Sequence, residues 1–179
     1  MTARARVLVV HGPNLNLLGT REPEIYGART LADIDAELIE RGRALGLEVE
    51  TFQANGEGQL IDRIQDFAGF GASFGLGQSS DAAIPASHPE ASDKSAETPQ
   101  QRALVINPGG YTHTSVALRD AIAGVGLRTI EVHLSNLYAR ESMRHESITG
   151  SACAGVIMGL GAESYLLALH ALAAQFDAT

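Results

Sequence analysis

Residues 6–13 read Arg-Val-Leu-Val-Val-His-Gly-Pro. Four consecutive aliphatic residues, three of them β-branched valines, predict a short buried strand, and His-Gly-Pro ends it. Working outward, residues 11–29 form a long polar loop containing Asn14, Asn16, Arg21, Glu22, Pro23, Tyr26 and Gly27. Thr30 then reads as a helix N-cap, Leu31, Ile34, Leu38 and Leu45 supply an apolar helical face, and Gly46 closes it. A second strand is expected over Leu47–Gln53 and a second helix over Gly58–Phe70. Ala103–Asn107 reads as a third strand, followed by a Pro-Gly-Gly turn and a helix from about Thr114. Arg128–His133 reads as a fourth strand, then comes a polar loop from Leu134 to about Gly150. Gly155–Met158 is a fifth, with a terminal helix from near Ala162. Strands alternating with helices predict an α/β fold, a parallel sheet with helices on both faces.

The periodic pattern fails between residues 71 and 101. That stretch is first Gly- and Phe-rich, then Ser, Ala, Pro, Glu and Gln with almost no large apolar residue. Such a composition cannot bury enough apolar surface to offset the entropy of ordering it. It is expected to be a low-complexity, flexible insertion within a single domain spanning residues 1–179.

Composition narrows the function classes. The 179 residues carry a net charge of −8, which disfavours nucleic-acid and anionic-membrane partners. One cysteine, Cys153, allows no intrachain disulfide and no Cys-based zinc site. No apolar run is long enough for a transmembrane helix, and Val7–Val10 is too short for a signal-peptide core, so a cytoplasmic protein is expected. The only lysine is Lys94, inside the low-complexity stretch. That excludes a Walker A loop and makes imine chemistry a poor fit. There is no His-Glu-x-x-His motif and no Gly-x-Ser-x-Gly elbow. Gly159-Leu-Gly161 fails the dinucleotide fingerprint at its third glycine.

In open parallel sheets ligands bind beyond the carboxyl ends of the strands. Here the polar residues gather at those ends: His11-Gly-Pro-Asn14, Ala54-Asn55-Gly-Glu57, Asn107-Pro-Gly-Gly-Tyr-Thr-His113 and His133-Leu-Ser-Asn136. The inventory suits proton transfer on a small, oxygen-rich anion. Arg21 and Tyr26 share one loop. A guanidinium near a phenol favours the phenolate, which makes Tyr26 a candidate base, the alternative being a half-buried loop anchor. Glu131 and His133 are two apart on a strand and share a face. A carboxylate there favours and orients an imidazolium, which suits a general acid, the alternative being a structural pair. Asn14 and Asn107 are candidate donors to an oxyanion or bound water, or turn residues. His113 with Thr114 reads as a ligand contact or a helix cap, and Arg144 as a carboxylate contact or a solvated loop arginine. His11 and His145 have no distinguishing context, and His170 is expected to pack within an apolar helix.

Residues 9–27, Val-Val-His-Gly-Pro-Asn-Leu-Asn-Leu-Leu-Gly-Thr-Arg-Glu-Pro-Glu-Ile-Tyr-Gly, resemble the signature of type II 3-dehydroquinate dehydratases. Matching blocks follow in order at 55–62, 106–120, 131–136 with 139–141, and 155–161. The resemblance implies a flavodoxin-like three-layer sandwich with a five-stranded parallel sheet. It also implies cofactor-free trans-dehydration of 3-dehydroquinate to 3-dehydroshikimate through an enolate, in the shikimate pathway. It assigns Tyr26 as base, Arg21 as its activator on a shared lid, Asn14 as holder of the enolate-stabilising water, and His133 as general acid. Substrate contacts carry over to Asn107, His113, Leu134, Ser135 and Arg144. Asp120 is expected to reach a neighbouring subunit's site in a trimer-based homo-oligomer, commonly a dodecamer. Three departures stand out: Gly56 and Tyr138 occupy positions where the family often has histidine, and the segment between the second helix and the third strand is longer than is usual for the family. The rival readings are a nucleotide- or phosphate-binding module, for which Pro13 offers no donor amide, and an inactive binding or assembly protein on the same scaffold.

Overall fold

The computed structural model describes residues 4–19, 29–70 and 101–176. Arg21, Tyr26 and residues 71–100 of the expected insertion lie outside the described residues. Gln101 does not belong to that insertion, because it opens the third strand. The elements are β1 (Ala5–His11), α1 (Leu31–Ala44), β2 (Leu47–Gln53), α2 (Glu57–Ala68), β3 (Gln101–Asn107), α3 (Val116–Val125), β4 (Arg128–His133), β5 (Gly155–Met158) and α4 (Glu163–Phe176). All pairings are parallel, in the order β2-β1-β3-β4-β5, which is the flavodoxin-like order.

Strand alternation builds the layers. On one face Val7, Val9, Ala103, Val105, Ile130 and Val132 pack against Leu31, Ile34 and Leu38 of α1 and Tyr165, Leu169 and Leu172 of α4. On the other, Leu8, Val10, Leu104 and Ile106 meet Leu60, Ile64 and Phe67 of α2 and Leu118 and Ile122 of α3. The central strands β1 and β3 are apolar on both faces because helices cover both.

Helix ends follow the sequence with two shifts. Thr30 caps α1: its hydroxyl accepts from Asp33 N–H at 3.2 Å, and the Asp33 carboxylate accepts from Thr30 N–H at 3.0 Å. These bonds hold the Asp33 carboxyl below its ordinary value. The third helix starts later than the sequence suggested. Residues Gly109–His113 first make a 3-10 turn, and Ser115, not His113 or Thr114, supplies the cap, accepting from Leu118 N–H at 2.8 Å. α2 ends at Ala68, before Phe70, because Gly69 turns the chain with φ of 99°. The loop after β4 contains three short 3-10 turns, Leu137–Ala139, Ser142–Arg144 and Thr149–Ala152. His170 is exposed on α4 rather than packed.

Candidate active site

Two loops are clamped at the carboxyl edge of the sheet. Gly12 N–H donates to Asn107 O at 2.8 Å, and Tyr111 N–H to Pro108 O at 3.2 Å. Gly12 permits this approach, since a Cβ there would collide with the Pro108 carbonyl. Asn14 follows with φ of 66°, the one described non-glycine residue at positive φ. Asparagine tolerates that region better than most side chains. Its N–H donates to Asn55 Oδ1 at 3.0 Å, and Gln53 Nε2 donates to the same oxygen at 3.1 Å. Tyr111 Oη, in turn, donates to Asn55 O at 2.9 Å. The loops after β1, β2 and β3 are thus tied into one rim.

Behind this rim lies a cavity of about 160 Å³. Asn14, Asn107, His113, His133, Leu134, Ser135 and Arg144 all line it. The sequence-predicted residues that the structure describes are therefore brought together, with Asp120 the exception. Asp120 sits on α3 in a separate groove beside Ile61 and Gln65, its carboxylate 2.9 Å from Arg119 Nη1. Asn107 combines both roles weighed for it: Oδ1 accepts from Gly109 N–H at 3.2 Å, a turn contact, while the residue lines the cavity. His113 Nδ1 donates to Glu146 O at 2.6 Å, which fixes the ring against the loop after β4.

His133 is the most deeply supported cavity residue. It is 5% exposed, and its Nε2 lies 2.8 Å from Glu131 Oε1. Glu131 is fully buried and also accepts from Ser147 Oγ at 2.7 Å and Thr149 Oγ1 at 2.5 Å. Burial alone would raise this carboxyl. The hydrogen bonds from His133, Thr149 and Ser147 outweigh it and hold the group below the usual carboxylate range. The neighbouring Cys153 thiol goes the other way, pushed up to about 12 by burial and by the Glu131 charge.

Sequence reasoning assigned no role to Arg140, Ser147 or Thr149. Arg140 lines the cavity and its Nη1 donates to Ser135 Oγ at 3.4 Å. Its signal was available, since it lies within the matched 139–141 block. Ser147 and Thr149 had none: they reach Glu131 across 16 and 18 residues of irregular loop. With Arg144, Arg140 puts two guanidinium groups at the cavity of a chain whose net charge is −8, which offsets the repulsion an anionic ligand would meet.

Comparison with known proteins agrees with this architecture. The chain matches the family Dehydroquinase class II over residues 5–74 and 90–173. It is 50% identical over 169 residues to the 3-dehydroquinate dehydratase 1 of Ralstonia nicotianae, covering 94% of this chain and 90% of that protein. A catabolic 3-dehydroquinase of Sordaria macrospora is 46% identical over 170 residues, 95% of each chain. Among solved structures, the type II dehydroquinase of Propionibacterium acnes superposes with a TM-score of 0.77 at 36% identity, covering 97% of this chain and 99% of that one. Likeness of this extent, in sequence and in fold, spans the strand ends that build the cavity, and the chain belongs to the class II dehydroquinase family.

Proposed function

We propose that the protein is a hydro-lyase that converts 3-dehydroquinate to 3-dehydroshikimate by trans-elimination of water, without a cofactor. The observation that carries this reading is the convergence of Asn14, Asn107, His113, His133 and Arg144 on one cavity of a class II dehydroquinase chain. Tyr26, as phenolate favoured by the Arg21 guanidinium, removes the proton on the carbon beside the ketone. The electron pair passes to the carbonyl oxygen, and a water held by Asn14 stabilises that enolate. On collapse the carbon–oxygen bond of the leaving hydroxyl breaks, and His133 gives it a proton, so that water departs. With Nε2 engaged by Glu131, Nδ1 of His133 is the nitrogen left to the cavity. Proton balance is restored when Tyr26 gives one proton to solvent and His133 takes one from it.

Substrate contacts are assigned to Asn107, His113, Leu134, Ser135 and Arg144, all at the cavity. Asp120 is assigned to a neighbouring subunit's site, a reading supported by its absence from the lining of its own cavity and its position on α3 in a separate groove. A trimer-based assembly, a dodecamer of four trimers, is the proposed state. The reaction fits aromatic biosynthesis and equally a catabolic route such as the Sordaria relative's name records.

The test is ultraviolet absorbance of the protein mixed with 3-dehydroquinate, because the product is a conjugated enone acid and the substrate is not. Native protein should produce the rise. Tyr26→Phe should lose at least about a hundredfold in kcat, the low end of what a positioned acid or base contributes. A folded native protein that produces no rise would leave the inactive-scaffold reading in its place.

A further inference from the structure

The chain turns left-handed at Asn14, just beyond the carboxyl end of β1, where His11 is the register partner of Gln53 on β2 and of Asn107 on β3. Left-handed backbone is unfavourable for a residue with a side chain, and it persists where the surroundings over-determine it. Asn14 also sits at the N-cap of the 3-10 turn Leu15–Leu17, yet its side chain makes no cap hydrogen bond there. That side chain is left to the cavity, which Asn14 lines. The His11 ring does not hold the turn. It is buried and engaged elsewhere, by Asp35 Oδ1 at 2.9 Å and the Tyr165 hydroxyl at 2.8 Å.

The hold comes from the ends of β2 and β3. Gly12 N–H donates to Asn107 O at 2.8 Å. Gln53 Nε2 donates to Gly12 O at 3.2 Å and to Asn55 Oδ1 at 3.1 Å. Asn14 N–H donates to the same Asn55 oxygen at 3.0 Å. The Tyr111 hydroxyl braces Asn55 from the loop after β3, donating to its backbone O at 2.9 Å. Backbone groups fix both amide orientations, and no titratable group enters. Asn14 N–H can only donate, so the Asn55 atom that meets it is oxygen. Gly12 O can only accept, so the Gln53 atom that meets it is nitrogen, with one hydrogen for each of its two acceptors. Pro13, between the two held groups, has no N–H to give. The entry and the exit of the Gly12-Pro13-Asn14 turn are thus fastened by one pair of amide side chains.

We infer that Gln53 and Asn55 are positioning residues that hold Asn14 in its left-handed conformation and so present its side chain to the cavity. The hold stands on the hydrogen bonds. Its consequence for turnover rests on the role proposed for Asn14 in the dehydration.

The experiment uses the full chain and steady-state kinetics with 3-dehydroquinate. Asn55→Ala should lower kcat about tenfold, the weight of one hydrogen bond, with KM within about twofold of native. That split is expected because Asn14 acts, through its water, on charge that forms only after the substrate is bound. Asn55→Asp keeps an oxygen acceptor and should retain most of the native kcat. Gln53→Glu sets oxygen against both Gly12 O and Asn55 Oδ1, should lower kcat at least as much as Asn55→Ala, and carries the comparison should Asn55→Ala fail to fold. Asn14→Gly takes the left-handed turn freely and has no amide to present. In that background Asn55→Ala should cost no further kcat, whereas a general role in packing the rim would act equally in both. A native kcat in Asn55→Ala, an equal loss in Asn55→Asp, or the same loss with and without the Asn14 side chain overturns the hold. Amide hydrogen exchange supplies a readout that needs no turnover. In Asn55→Ala the Asn14 amide should exchange about tenfold faster while the Gly12 amide, held by Asn107, stays as protected as in the native chain. Unchanged exchange at Asn14, or equal loss at both amides, overturns the hold. A native protein that catalyses no dehydration, with the expected exchange pattern in the variant, would sink the proposed reaction and leave the hold standing.

Discussion

Glu131 shows how one buried residue links stability to the site. Its carboxylate is fully buried and holds His133, Ser147 and Thr149 at once. Those bonds set its folded value below that of the unfolded chain. A carboxyl shifted down stabilises the fold above its unfolded value, about 4.3, and that contribution is lost as pH falls through the folded value. Glu131→Gln, of the same shape but neutral, should melt well below native at pH 7. The gap in Tm should narrow as the pH drops below about 4. A gap that stays constant from pH 7 into acid would show that Glu131 does not act through its charge. The pairing of Glu131 with His133 was legible because it needs only the two-residue period of a strand. His11 was not, for its partners lie 24 and 154 residues away, and nothing local marks a histidine whose neighbours arrive only when two helices dock. The same distance explains Thr149. His170 was misread for a different reason: an apolar segment does not reveal which of its residues faces outward when its polar stripe is a few residues wide.

At the level of elements, the strands were the easiest part to read. Each is an apolar run bounded by turn residues, and the alternation of Val7 and Val9 against Leu8 and Val10 sorts the two cores without further information. Helix starts were less secure. Thr30 was found because threonine before an apolar period is a strong signal. Ser115 lost to Thr114 because the intervening 3-10 turn has no period of its own to announce it. Glycine gives an element-scale test with opposite signs. At Gly12 an added methyl would meet the Pro108 carbonyl, a backbone atom that cannot step aside without parting the β1 and β3 loops. Gly12→Ala should cost about 1–3 kcal/mol, the range for overpacking, and should lower kcat/KM together with Tm. At Gly124, exposed on α3, nothing lies within 4 Å of the added methyl. Gly124→Ala should instead gain up to about 1 kcal/mol, from helix propensity and a less free unfolded chain. Thermal melts of the two variants check both signs, and a stabilised Gly12→Ala would mean that the loops do not depend on close approach.

For the whole molecule, the parallel sheet sets the cavity at one end and the start of β3 at the other. The cavity lies at the carboxyl ends of β1, β3 and β4. The family match is interrupted over residues 75–89, and the described fold ends before that interruption at Phe70 and resumes after it at Gln101. Gln101 pairs with Ala5 at the amino end of the sheet. Seven residues of β3, about 3.3 Å each, therefore put roughly 20 Å between that junction and Asn107. Arg102 closes the junction independently of the segment, since its Nη1 donates to Phe67 O at 3.0 Å and ties the end of α2 to the start of β3. Shortening a connection by fifteen residues changes closure entropy only slightly. Deleting residues 75–89 should consequently leave Tm within a few degrees of native and kcat/KM within about twofold. Sedimentation of the deleted chain separates two grounds for failure. A loss of activity with unchanged assembly would place the segment in the catalytic cycle. A loss that follows a smaller assembly would place it in subunit contact.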